Sequence, residues 1–378
     1  MKDQDSDEIY DKISRRNFLK ATLAGTSALV APTIINYLGQ SAPSSDKEFL
    51  EIRDGNFYKG GEEFQLKGFF YYPKDHGWRI FKDWEPEEVR KELSLGRKLG
   101  ANTVRTTIDY ILSTGRDRKQ FEGPITRNDP EPEYFENFEQ FLTIADDNDL
   151  KVLPQLRNIY WSLYDDEKNE IITDYLDKWV PEFKDDERIL AWSIFGEPEL
   201  NYDSIGKQKV KKTMKLISEK FKKLDKKHPI TLGWANPESV EGEPREINFT
   251  SFHYYGFPQN LPNRVGFMRE YTNNPLVLEE FGSYSYLNPK PTKSEKTESI
   301  MSKDYEMYFN QINKTDLRGS IFWTLLDFPV YDPNKFPDWW GLVYSEGETT
   351  ENHMGVLRTD YSKKPAAHVV EQYYNWIL

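Results

Sequence analysis

The stretch Ile189-Leu-Ala-Trp-Ser-Ile-Phe-Gly-Glu-Pro-Glu-Leu200 runs through seven residues that are apolar except for Ser193, then stops at a carboxylate, Glu197. A segment of that composition faces water on neither side, as a strand of a parallel sheet does when helices cover it. Pro198 has no N–H with which to extend a ladder, so the strand ends at Glu197. Taken alone, that acid reads equally well as the cap of a following helix. It also fits a parallel (β/α)8 barrel, in which strand bodies fill the core and reacting groups project from the C-terminal tips.

A second stretch repeats the design. Asn274-Pro-Leu-Val-Leu-Glu-Glu-Phe-Gly-Ser-Tyr284 carries the apolar Leu276, Val277 and Leu278, then Glu279 and Glu280, then Gly282. Strict alternation along a strand sends Glu279 and Glu280 to opposite faces, one inward and one not. Two acids at two strand tips are the minimum equipment for cleaving a glycosidic bond, one protonating the leaving oxygen and the other attacking or activating water.

Working outward, the chain alternates strands and helices. Predicted strands are 64–72, 101–108, 150–156, 189–197, 230–235, 247–255, 276–280 and 319–327, with helices at 87–99, 133–147, 171–180, 207–226 and 294–313 and a last one ending near Leu378. Pro86 opens the first of these helices and Gly100 closes it. The lysine-rich helix 207–226 reads as a solvated outer face. Ahead of the first strand, Asp54-Gly55 predicts a hairpin and Gly60-Gly61 a second turn. Arg105 stands inside an apolar run, which is costly unless a carboxylate lies near. The segments 109–132 and 328–354 are long loops, expected at the rim of a cleft, and the second is rich in aromatics such as Trp339 and Trp340.

With these motifs in hand, the chain over roughly residues 49–378 resembles the retaining glycosidases built on (β/α)8 barrels, closest to glycoside hydrolase family 5, the cellulase and β-mannanase group. The resemblance implies a TIM barrel whose floor is closed by the N-terminal hairpin, with Glu197 as acid/base. It selects Glu280 as nucleophile, because the family's nucleophile directly precedes Phe-Gly. It places Arg105 near that nucleophile and assigns the His-x-Tyr pair His253 and Tyr255 to the sugar site, the tyrosine hydroxyl bonding the nucleophile. Trp323 stands where the family sets a tryptophan under the reacting sugar. Trp161 and Trp234 are further candidates for contact with sugar. One departure matters: the family has Asn before the acid, its amide binding the 2-hydroxyl of the reacting sugar, and this chain has Gly196. Asn158 or Trp234 are the candidates to replace that donor.

Paired carboxyls work only when unequal. Arg105 and Tyr255 would favour the ionised form of Glu280, whose charge would in turn keep a proton on Glu197. Three readings follow: a β-glycosidase acting on β-mannan or β-glucan; an exo-acting enzyme or transglycosidase on short surface glycans; and a carbohydrate-binding barrel that has lost turnover through Gly196.

Composition narrows the partners. A net charge of −13 disfavours nucleic acid and anionic membranes, and the absence of Cys removes disulfides and thiolate chemistry. The five histidines show no metal-ligand spacing, so neither a metal nor a cofactor is expected. Aromatic residues make up 15% of the chain, which suits a cleft where sugar rings lie on flat side chains, though most must serve as core. Ser14-Arg15-Arg16-Asn17-Phe18-Leu19-Lys20 resembles the twin-arginine export motif and precedes a moderately apolar run. The organisation expected is therefore a signal over 1–40, with residues 18–38 able to serve as a membrane tether, a linker over 41–48 and a catalytic domain over 49–378. Export by the twin-arginine machinery, to the cell surface or beyond, follows from that reading.

Overall fold

A computed structural model describes residues 48–115, 129–157, 169–286, 296–330 and 348–376. The twin-arginine motif, the possible tether, Asn158 and Trp161 lie outside these residues, as does most of each rim loop. Among the described residues no helix is long and apolar enough to cross a membrane.

Eight parallel strands close into a barrel. In chain order they are β4 (Leu66–Phe70), β5 (Thr103–Asp109), β6 (Lys151–Arg157), β7 (Trp192–Gly196), β8 (Ile230–Trp234), β9 (Thr250–Tyr254), β10 (Leu276–Phe281) and β11 (Gly319–Phe322), and β11 pairs back with β4. The expected strands are all present; most are trimmed at one or both ends, while β5, β6 and β10 each run one residue further than expected, to Asp109, Arg157 and Phe281. Burial is complete along β5, β8 and β9, as apolar runs covered on both faces require.

Ahead of the barrel the expected hairpin is extended into a three-stranded antiparallel sheet, β1 (Glu51–Arg53), β2 (Asn56–Lys59) and β3 (Glu62–Glu63), because Gly60 and Gly61 turn the chain back once more at positive φ. Phe57 of β2 is buried edge-on against Phe249, which directly precedes β9, and the Arg318 side chain, directly before β11, donates to the Gly55 carbonyl. Both contacts are at strand starts, so this sheet covers the floor and leaves the C-terminal rim to the site.

Helices follow seven of the eight strands: α1 (Pro86–Lys98), α2 (Pro132–Asp146), α3 (Asn169–Phe183), α4 (Lys207–Leu224), α5 (Leu261–Arg269), α6 (Glu298–Ile312) and α7 (Pro365–Trp376). α1 carries Glu87 and Glu88 in its first turn and Arg97 and Lys98 in its last, matching the helix dipole. On α4, Val210, Met214, Ile217 and Phe221 are buried and the lysines lie on the opposite side. Between β8 and β9 the chain makes only the 3-10 turn Pro237–Gly242. Pro237, Gly242 and Pro244 punctuate this segment too densely for an α-helix. Under the helices, Phe81, Phe138, Phe141 and Trp179 pack as an aromatic layer, so most of the aromatics are indeed core.

Candidate active site

The C-terminal tips of five strands converge. β5 brings Arg105, β7 is followed by Glu197, β9 carries His253 with Tyr255 just beyond it, β10 ends in Glu279 and Glu280, and Trp323 follows β11. Glu197 is the residue where the strand turns: its backbone lies in the left-handed region, at φ 54° and ψ 48°. A residue with a side chain adopts that conformation at a cost of roughly 1–2 kcal/mol, which surrounding contacts must hold in place. Here the Glu197 N–H donates to the Gly233 carbonyl at 2.7 Å, and Leu200 N–H to the Glu197 carbonyl at 3.2 Å.

The alternation expected of Glu279 and Glu280 does not hold. The ladder between β9 and β10 shifts register between Leu278 and Glu280, and the ladder to β11 shifts there too. A bulge places two successive residues against one on the partner and re-aims the second side chain. Both acids consequently reach Arg105. Its Nη1 donates to Glu280 Oε1, and its Nε lies 3.3 Å from Glu279 Oε1, in a setting where the arginine and Glu279 are fully buried.

His253 ties the carboxylates together. Its Nδ1 lies 2.8 Å from Glu197 Oε1 and 3.4 Å from Glu280 Oε2, while its Nε2 is 3.6 Å from Glu279 Oε2. Tyr255 completes the surroundings of Glu280 by donating its hydroxyl to Oε2 at 2.9 Å, and Ser251 donates to Glu279 Oε2 at 2.9 Å. Room for the Glu279–His253 pair comes from Gly233, where a Cβ would stand 2.3 Å from Glu279 Oε2 and 2.5 Å from His253 Nε2.

These distances set the charges. Burial by itself would discharge the His253 imidazole, yet Glu280, Glu197 and Glu279 outweigh it and hold the ring charged up to about pH 10. For Glu279, burial would raise the acid, but Arg105 and His253 bring it down to about 2. Burial works against the Arg105 charge in the same way, and Glu279 and Glu280 more than restore it. Donor atoms of Glu197, His253 and Glu280 lie within 4.8 Å of one another, a spacing that would suit a cation among the described residues. In its charged form the imidazole donates from both nitrogens, so the trio is also arranged for proton chemistry.

Trp323 forms one wall. Its ring centroid is 4.2 Å from that of Phe70, and the Arg105 guanidinium lies over the Phe70 ring, 4.9 Å from its centroid. Beside it is an acid that sequence reading missed. Glu351 sits on the turn Thr350–His353, accepts a hydrogen bond from the Trp323 side chain, and is raised above the ordinary carboxylate range by burial, then by Glu280 and Glu197. The turn is fastened to the strand tips: Phe328 N–H donates to the Asn352 carbonyl at 3.0 Å, and the buried Lys364 donates to Asp327 Oδ1 at 2.7 Å and to the His353 carbonyl at 3.2 Å. No local pattern marks Glu351, because its position depends on a loop folding back over β11.

Trp234 requires a correction. Expected at the sugar site, it is fully buried, and its Nε1–H is directed to Glu243 Oε1 at 3.3 Å. The preceding residue, Gly233, is the one that faces His253 and Glu279, so alternation turns Trp234 away from them.

This geometry agrees with what the chain is similar to. The model of the Cellulase family, glycosyl hydrolase family 5, matches residues 59–325. A curated relative, mannan endo-1,4-beta-mannosidase 7 of Arabidopsis thaliana, is 22% identical over 205 residues, 45% of this chain and 46% of its own length. The chain thus aligns with less than half of that relative. Among solved structures, exo-beta-1,4-mannosidase Op5Man5 from Opitutaceae bacterium strain TAV5 superposes with a TM-score of 0.69 at 14% identity, over 85% of this chain and 61% of that one. The endo-1,4-beta-mannanase from Rhizomucor miehei gives 0.62 at 15% identity, over 86% and 98%. An uncultured Clostridium sp. beta-glucuronidase gives 0.63 at 16%, over 87% and 53%. At these identities the superpositions speak for the fold, and the family match over most of the barrel carries the assignment: the chain belongs to glycoside hydrolase family 5.

Proposed function

We propose that this enzyme cleaves β-linked manno- or gluco-configured poly- or oligosaccharides with retention of configuration, by double displacement. One observation carries this reading: a carboxylate oxygen of Glu197 and one of Glu280 lie within 4.8 Å of each other. Retaining enzymes hold their two carboxyl groups ~5–5.5 Å apart, whereas inverting enzymes need ~6.5–9.5 Å to admit a water between acid and base.

Roles follow from the partners. Glu280, 12% exposed in its side chain, accepts from Arg105 and Tyr255, so it is supplied with donors to its charged form and acts as nucleophile at the anomeric carbon. Glu197 is three times as open, at 36%, and faces the leaving group. Its working proton is the one shared along the 2.8 Å contact with His253 Nδ1. As the glycosidic bond breaks, Glu197 delivers that proton to the departing oxygen. Once Glu280 is esterified its charge is gone, and Glu197 takes a proton from the water that releases the sugar.

The test is direct. Incubation with an activated 2-deoxy-2-fluoro β-glycoside, followed by mass mapping of the peptides, is expected to label Glu280. A label on Glu279, or release of the α-anomer from an ordinary β-substrate in a proton NMR time course, refutes the scheme. β-Mannosides are the favoured class, because the curated relative and two of the three solved structures named above carry mannan or mannoside in their names. An exo mode is a second reading, supported by Op5Man5 being named an exo-enzyme; the product sizes released from mannohexaose separate it from endo cleavage. Export through the twin-arginine route, with residues 1–40 as the signal, 41–48 as the linker and 49–378 as the catalytic domain, is proposed from Arg15 and Arg16 in their motif. Retention of the precursor when both are changed to Lys would support it.

A further inference from the structure

Gly196, immediately before Glu197, is a glycine without a backbone reason, since it is absent from the positive-φ glycines. Its reason is spatial. A Cβ at this position would stand 1.9 Å from Nε2 of Gln155 and 3.1 Å from its Cδ. No residue with a side chain fits there unless that amide moves. Gln155 lies on the neighbouring strand β6, in register with Ser193 of β7, and is only 7% exposed. No described residue hydrogen-bonds its carboxamide, although a nearly buried amide is ordinarily paired. A carboxamide with no partner among the described residues therefore stands beside the acid, in the volume where a side chain at 196 would otherwise project.

We propose that Gln155 reads the C2 hydroxyl of the reacting sugar and thereby sets the choice between mannose and glucose. The inference rests on the proposed hydrolysis at Glu197 and Glu280. A sugar whose anomeric carbon lies between those two acids presents its C2 substituent one bond away from the reacting centre. Glucose and mannose differ at C2 alone, equatorial in one and axial in the other, so an amide held at that place distinguishes them. Hydrogen bonds to the 2-hydroxyl strengthen in the oxocarbenium-like transition state, so such a contact acts on kcat as well as on binding. Asn158 and Trp234 are then not needed as donors, and Gly196 marks a different way of supplying the contact: the amide comes from the next strand, and glycine leaves it room.

Three substrates suffice for the test: nitrophenyl β-mannoside, nitrophenyl β-glucoside, and the 2-deoxy glycoside that both become when the C2 hydroxyl is removed. Wild type is expected to prefer one of the first two by roughly tenfold or more. Gln155→Met, which keeps the volume, is expected to lose roughly 100-fold in kcat/KM on the preferred sugar, mostly in kcat, and less than about threefold on the 2-deoxy compound. It should also bring the mannoside and glucoside within about threefold of each other. Gly196→Asn is expected to be damaging in the presence of Gln155 and less so beside Gln155→Ala, where the space is free. Equal losses on the hydroxylated and 2-deoxy substrates, or an unchanged sugar preference, overturn the role of Gln155 and leave the hydrolase reading standing. A wild type that turns over none of the three overturns both.

Discussion

Two fully buried glutamates in this molecule differ in charge, one ionised and one protonated at neutral pH, and the contrast explains the site. Glu279, inside the barrel, has Arg105 and His253 within 3.6 Å and stays ionised down to about pH 2. Glu92, on α1, has the Tyr71 hydroxyl on Oε2 at 2.9 Å and, among the described residues, no cation at ion-pair distance; burial and then Glu88 push it up to about 8. Burial is common to both, so it does not decide the charge. The partner does, because a buried carboxylate is tolerated in its charged form only beside a cation. At the catalytic rim the two cations let three carboxylates, Glu197, Glu279 and Glu280, share one small volume.

The largest break in that comparison removes the acid that the cations serve. Glu280→Gln keeps the volume and the contacts of Arg105 and Tyr255, and is expected to lower kcat by roughly 10⁴-fold or more with little change in melting temperature. Steady-state assays with a nitrophenyl glycoside alongside calorimetry measure both.

Next is Glu279→Gln. It leaves Arg105 and His253 in the interior with one counter-charge fewer, which is expected to cost about 3–5 kcal/mol by urea unfolding at neutral pH. The pH dependence has a definite sign. An acid lowered from 4.5 to about 2 in the folded state contributes stability above its unfolded pKa and loses it as pH falls through that window, so wild type and variant should converge toward pH 2.

Glu92→Gln should act in the other direction. An acid raised from 4.5 to about 8 binds its proton more tightly when folded, so its contribution is complete below about pH 4.5 and disappears as pH rises through about 8. The amide mimics the protonated form. The variant should match wild type at pH 4 and exceed it by up to about 5 kcal/mol at pH 9, read from the same urea curves. Equal stability at the two pH values would show that the folded chain relaxes to hydrate Glu92, and the contrast with Glu279 would fail.

The smallest effect concerns Trp234. Trp234→Phe removes the hydrogen bond to Glu243 and part of a buried ring, at about 1–2 kcal/mol of stability, while kcat/KM should stay within about twofold of wild type. A loss well beyond that in KM alone would return Trp234 to the sugar site.

Much of this was legible before any coordinates. Apolar runs closed by Glu197 and Glu280, and helical spacing between them, are local properties that burial on both faces of a parallel strand imposes on composition, so the eight strands and their order could be read directly. The family motif added Arg105, His253, Tyr255 and Trp323, and the structure brings these four together around the two acids. What could not be read depends on chain neighbours far apart in sequence. Alternation sent Glu279 and Glu280 to opposite faces, and a bulge, which leaves no mark in composition, turned both toward Arg105. Trp234 looked like any aromatic at a strand tip, although Gly233 beside it was the residue with an inward reason to be small. Gln155 read as one polar residue in an ordinary strand, and Glu351 as one acid in a loop.

By itself, then, the amino-acid sequence determined the barrel, its direction and the two acids at its open end, because hydrophobic burial and ladder termination act on residues close together along the chain. Tertiary structure alone decided which buried acids are charged, why position 196 is glycine and which amide stands beside the acid. Those outcomes rest on Coulomb and contact distances of a few ångströms between residues tens to hundreds of positions apart, and such distances exist only once the strands have closed.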